Sequence, residues 1–174
     1  MNVIRAPERC WLDPRIVARP SSIDGLGLFA TGPIAKGEAV GRLGGSVIDA
    51  AELQRISRTH AKYNSAAIAE GVNLLLSDDD VIARGNHSCD SNLWMRDEFT
   101  LEARRDIAAG EEVTVDYALL TAVSDWEMAC RCGSPVCRGR VRGDDWMRAE
   151  LRERYRGHFS PFLNVRIDGS AARP

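Results

Sequence analysis

The sequence predicts a mainly β domain built from several small antiparallel sheets with short helices. Three observations carry this. Short apolar runs are punctuated by Gly, Pro and Asp through the first two thirds of the chain. A turn pattern repeats, with Ile34-Ala-Lys-Gly-Glu-Ala-Val40 echoed by Ile107-Ala-Ala-Gly-Glu-Glu-Val113. Only two stretches have helical spacing. A doubly wound parallel sheet would alternate strands with longer helical patterns, and none appear.

The strand runs are 15–19, 27–31, 39–43, 73–76, 100–104 and 112–117. The repeated turn unit is too small for a solenoid module and reads as recurrent turn chemistry delivering a strand. The first helix is predicted to start at Asp49 as N-cap, with Glu52 completing a capping box and Leu53 and Ile56 on one face. The second is predicted near Asp144, with Met147, Leu151 and Tyr155 as an apolar stripe ended by Gly157, covering the main body.

At 174 residues the chain has room for one compact domain with a small appendage. Hydrophobic content of 44% and a net charge of −2 are those of an ordinary globular protein. That charge argues against a broad grip on nucleic acid, which needs a basic excess to displace counterions. Lys36 and Lys62 are the only lysines, so self-modification has few targets. No run approaches the roughly 20 apolar residues of a membrane span, and residues 1–20 lack a signal-peptide core. The expected location is therefore intracellular: cytoplasmic in a bacterium, nuclear in a eukaryote or in a host to which the protein is delivered. Abundant Arg and Ala in place of Lys suggest a GC-rich, bacterial genome.

Cys130-Arg-Cys132-Gly-Ser-Pro-Val-Cys137 places three thiols in one tight turn. Such clustering in a reducing compartment favours a metal over cystine, and the single-residue gap between Cys130 and Cys132 departs from a redox pair. Zinc needs four tetrahedral ligands, so one must come from elsewhere. Cys89, Cys10 and the histidines are the candidates. Asn86-His-Ser-Cys89-Asp-Ser-Asn92 is dense in hydrogen-bonding side chains, which are hard to bury without partners. It reads as a polar loop or a functional segment. A serine-hydrolase reading fails because no nucleophile elbow frames Ser88.

Four segments in order resemble one family. Asp24-Gly-Leu-Gly27 resembles the early GxG motif of SET-domain protein-lysine methyltransferases, and Asn86 to Asn92 resembles their NHSCxPN signature. Residues 110–117 resemble GEELTFDY, and residues 130–139 resemble the post-SET CxCGSxxCRG zinc motif. Together they span roughly residues 15–140 and are far more specific than any one alone. Ser91 stands where the pattern has proline, Ala83-Arg84-Gly85 stands where Arg-Phe-Ile is common, and no cysteine-rich segment precedes the resemblance.

The resemblance implies a SET fold with knot-like C-terminal threading. Its expected parts are a SET domain over 15–120, a post-SET zinc segment over 126–142 and a helical extension over 143–174. It implies S-adenosylmethionine as methyl donor, lysine in a histone or other basic protein as acceptor, and zinc held by Cys89, Cys130, Cys132 and Cys137, leaving Cys10 over. Tyr117 is the implied catalytic residue. Asn86, His87 and Tyr117, with the backbone of Leu26 and Gly27, are implied to bind the cofactor, and Arg84 and Tyr63 to meet its carboxylate. Trp94 and Trp126 would line a lysine channel. Leu43, where some members put a second tyrosine, hints at multiple methylation. The competing readings are a catalytically silent SET-like binding module and a zinc-dependent nucleic-acid module, the latter disfavoured by charge.

Overall fold

The computed structural model describes residues 5–60 and 62–171. Twelve strands and three α-helices follow in chain order: β1 (Trp11–Leu12), β2 (Ile16–Pro20), β3 (Leu26–Ala30), β4 (Ala39–Arg42), β5 (Ser46–Asp49), α1 (Ala50–Thr59), β6 (Ser65–Ala69), β7 (Val72–Leu75), β8 (Leu93–Met95), β9 (Thr100–Ala103), β10 (Glu112–Val113), β11 (Glu127–Ala129), β12 (Arg140–Arg142), α2 (Ala149–Arg154) and α3 (Pro161–Ala171). They form four small sheets ordered β1-β4-β9-β8, β10-β3-β2, β5-β7-β6 and β11-β12. All strand pairs are antiparallel. The two copies of the repeated turn meet: Ile34 and Ile107 exchange backbone hydrogen bonds at 3.0 and 2.9 Å, and both side chains are buried. The turns are therefore a symmetric clasp between neighbouring sheets.

The expected strand over 112–117 is shorter than predicted. After β10 the backbone runs inside the loop 86–93 and bonds both arms: Val115 N–H to Asn86 C=O at 3.2 Å and Ser88 N–H to Val115 C=O at 3.3 Å on one side, Leu93 N–H to Thr114 C=O at 3.1 Å on the other. This is the threading the resemblance implies. Tyr117 then opens a 3-10 turn whose N-cap, Asp116, accepts from Ala118 N–H.

Asp49 caps α1 by accepting from Glu52 N–H, but the reciprocal half of the capping box is absent, since the Glu52 carboxylate pairs with Arg55 instead. The second predicted helix is broken. A 3-10 turn over Asp145–Met147 ends at Arg148, whose ψ of 130° is extended, and only then does α2 begin. Asp145 is held by Arg138 and by Arg142 N–H, which fixes the first turn away from the helix that follows and leaves Met147 half exposed. Leu151, Tyr155, Phe159 and Leu163 belong to the same core as Leu74 and Met95. The C-terminal residues thus contribute to that core, beyond covering it. No helix among the described residues is long and apolar enough to cross a membrane.

Candidate functional site

The cysteine knuckle is the loop of the β11-β12 hairpin, closed by Cys130 N–H to Gly139 C=O at 2.9 Å and turned by Gly133 at φ +67°. Cys89, fully buried at the end of the threaded loop, meets it. The four sulfurs of Cys89, Cys130, Cys132 and Cys137 all lie within 4.8 Å of one another, and Cys89 and Cys130 are 3.8 Å apart. A zinc tetrahedron with 2.3 Å bonds has edges of about 3.8 Å, so size and donor set both fit zinc. Arg138 N–H points at the Cys89 sulfur at 3.3 Å and Gly139 N–H at that of Cys137 at 3.4 Å, as thiolates require. Cys10 is elsewhere, hydrogen-bonded to Gly44, with burial pushing its thiol up to about 11.

From this corner a chain of contacts leads to Tyr117. The His87 Nδ1 accepts from Tyr117 N–H at 3.1 Å, so its proton sits on Nε2, 3.3 Å from the Cys89 sulfur. Burial holds this imidazole down near 4, hence neutral. The Tyr117 hydroxyl donates to Gly85 C=O at 3.0 Å, and burial, with the charge of Asp24 adding to it, pushes the phenol up to about 12. It stays protonated at any physiological pH.

Tyr117 lines an apolar cavity of about 110 Å³, together with Leu43, Tyr63, Gly85, Leu120 and Trp126. The Tyr117 and Trp126 rings are 6.2 Å apart and tilted by 52°. Trp94 is not part of this wall. The pleat of β8 turns Leu93 into the cavity and Trp94 away from it, where the indole stacks on His158 at 3.4 Å and donates to Glu102. Arg84 is exposed and reaches back to Asp78 C=O, outside the cavity wall. Tyr63 is half-buried and does line it.

The Asn86 side chain donates to Asp24 C=O, Leu26 C=O and the Glu112 carboxylate, at 3.1, 3.2 and 2.9 Å. Glu112 also accepts from the Ser21 hydroxyl. A Cβ on Gly27 would stand 2.1 Å from Glu112 Oε1. The close approach that this glycine permits within the protein is that of Glu112. Leu26 is 44% exposed beside it.

Two further sets of contacts leave no sign in the sequence. Asp116, fully buried, receives both Arg138 Nη atoms at 2.7 Å, and Arg138 Nε reaches Asp145 at 2.9 Å. One guanidinium thus joins the knuckle, the residue before Tyr117 and the C-terminal segment. Ser91, in the position of the pattern's proline, donates to Leu93 C=O and lies 3.3 Å from the Tyr155 hydroxyl. The Arg-Gly after Cys137 and the Asp before Tyr117 were visible in the motifs, but nothing local announces that they pair.

Comparison with known proteins agrees with this geometry. A family model described as the SET domain matches residues 25–118. Histone-lysine N-methyltransferase ATX2 of Arabidopsis thaliana is 31% identical over 143 residues, covering 73% of this chain and 13% of that protein. Methyltransferase flvH of Aspergillus flavus is 34% identical over 101 residues, covering 53% of each. The chain therefore spans a small part of the first relative and about half of the second. The crystal structure of the methyltransferase domain of human histone-lysine N-methyltransferase SETMAR superposes with a TM-score of 0.59 at 22% identity, covering 74% of this chain and 58% of that one, a likeness of fold. With the family match covering more than half its length, and with the threaded loop and four-sulfur corner built from the same motifs, the chain belongs to the SET domain family.

Proposed function

We propose that this protein transfers a methyl group from S-adenosylmethionine to the side-chain amine of lysine in a histone or another basic protein. Residues 15–120 act as the catalytic body, 126–142 as a zinc-bound segment and 143–174, of which 172–174 lie outside the described residues, as a helical extension. The observation that carries the reading is the protonated Tyr117 hydroxyl in an apolar cavity next to Asn86, His87 and four metal-competent sulfurs.

S-adenosylmethionine, when bound, supplies an electrophilic methyl on a sulfonium. The protein's own groups do the rest. The apolar cavity disfavours a charged ammonium, so the lysine enters as a neutral amine after losing its proton to solvent. Trp126 and Leu43 hold the aliphatic stem in line, and near-attack placement supplies much of the acceleration. Tyr117 acts as a fixed dipole beside the reacting atoms, since its raised pKa keeps it a neutral phenol with no phenolate to accept a proton. Asn86, His87 and the Leu26 and Gly27 backbone form the cofactor side, with Tyr63 nearest to a carboxylate role and Arg84 turned elsewhere. Cys89, Cys130, Cys132 and Cys137 hold the zinc that seats the knuckle.

Calorimetry with S-adenosylmethionine followed by labelled-methyl transfer to histones and other basic proteins tests this. Binding with transfer to lysine is expected. Binding without transfer to any acceptor would make the chain a silent binding module. With Leu43 near the position of a second tyrosine, multiply methylated lysine is the expected end product; only monomethyl-lysine under excess donor, by mass spectrometry, would contradict that.

A further inference from the structure

A second cleft, of about 420 Å³, lies beside the Tyr117 cavity and shares Tyr63 and Val123 with it. One wall is α1, where Ala50 and Ala51 keep the space open; the other is the 122–125 loop with Phe162 and Arg166 of α3. The floor is the β6-β7 pair, where Ala67 stands opposite Asn73.

Asn73 is the unusual residue. It is only 6% exposed, lines the cleft, and its carboxamide makes no hydrogen bond to any described residue. The amide is not sealed from solvent but opens to the cleft, so a ligand seated there must replace its hydrogen bonds to water or forfeit about 1 to 3 kcal/mol. Asn92, more deeply buried still, has its amide bonded to Glu111, the Glu112 carbonyl and Thr114 N–H. The one cation in the lining is already committed: Arg166 pairs with Glu70 at 2.6 Å and packs over the Phe162 ring. Asp125, on the exposed loop, makes no ion pair with any described residue, and after burial its charge is the second influence that pushes the Tyr63 phenol up. The cleft therefore presents a polar floor and one uncompensated negative charge.

We propose that this cleft is a docking subsite for the arginine side chain of a residue flanking the target lysine, with Asn73 Oδ1 accepting from the guanidinium at the floor and Asp125 attracting it at the rim. This rests on the reading of the adjoining cavity as the lysine site and names a specificity determinant for it. Asn73 touches substrate but not the reacting atoms, so it governs affinity and not the chemical step.

The test uses fluorescently labelled single-lysine peptides carrying arginine, or its neutral isostere citrulline, at successive positions on either side of the lysine. Affinity is read by anisotropy on the zinc-loaded protein. At one position the arginine peptide is expected to bind about tenfold more tightly, the scale of a charged hydrogen bond. The near-isosteric Asn73→Leu should remove most of that ratio while leaving S-adenosylmethionine affinity and Tm unchanged. Asp125→Asn, on the exposed rim, should reduce it without touching the floor. Equal binding of arginine and citrulline at every position, or a ratio unchanged in both variants, would overturn the subsite. Affinity does not require transfer, so the two readings fail separately. An arginine preference without methylation keeps the subsite and sinks the activity, and methylation without the preference does the reverse.

Discussion

The threaded loop 86–93 and the β6-β7 pair treat their buried asparagine side chains in opposite ways. In the first, Asn86, His87, Ser91 and Asn92 are bonded to the chain's own backbone and carboxylates. In the second, Asn73 opens its amide to the cleft with no hydrogen bond to a described residue, and the neighbouring β5 leaves Val47 half exposed at a sheet edge. A saturated region has one geometry and keeps it; an unsaturated one keeps donors and acceptors for something else. Chemistry that needs sub-ångström placement belongs in the first, and recognition belongs in the second.

The sharpest way to break this contrast is to remove what locks the saturated side. Chelation, or Cys89→Ser, should release the hairpin from the threaded loop, because a site of this kind contributes on the order of 10 kcal/mol at neutral pH. Hydrogen exchange should then rise through residues 127–142 and at Tyr117 N–H, while the β5-β7-β6 sheet stays protected. Uniform protection throughout would show that the corner is not the lock.

A smaller effect is expected from Arg138→Met. Asp116 would remain fully buried with its bidentate partner gone, a situation that costs about 3 to 5 kcal/mol. Urea unfolding of the zinc-loaded protein should show it. A loss under about 1 kcal/mol, the size of an exposed pair, would mean that the guanidinium is not structural.

Smaller again is Gly27→Ala. The new methyl displaces the Glu112 carboxylate from Asn86, for an expected loss of about 1 to 3 kcal/mol. The same substitution in a Glu112→Ala background should cost markedly less in thermal unfolding, with only the 3.0 Å approach to Ser21 Cβ left. Equal losses in both backgrounds would place the clash elsewhere.

Much of this was legible in the sequence, and the reasons differ by region. Strands β2, β3, β4, β7 and β9 were readable because apolar runs ended in Gly, Pro or Asp. Strand β6 was missed because Ser65–Ala69 is mostly alanine, a poor strand former whose pairing is set by its neighbours. Helix α3 was missed because its apolar residues do not share one face; Val165 is 72% exposed while Leu163 is fully buried. The long-range pairs Arg138 with Asp116 and Tyr155 with Ser91 leave no local trace. The four cysteines could be assembled only through the family resemblance, since spacing alone left Cys10 and the histidines in play. Trp94 shows the converse: an aromatic near the motif was assigned to the channel, and the two-residue period of β8 turns it the other way.

The central claim is that the Tyr117 hydroxyl faces the reacting atoms, and one measurement addresses it directly: single-turnover transfer of labelled methyl from S-adenosylmethionine to lysine by the zinc-loaded protein and by Tyr117→Phe. The account predicts acid-stable label on lysine, a rate lowered by about 100-fold or more in the variant, and an unchanged affinity for the donor. Label that never appears on lysine, or a variant as fast as the parent, would contradict it.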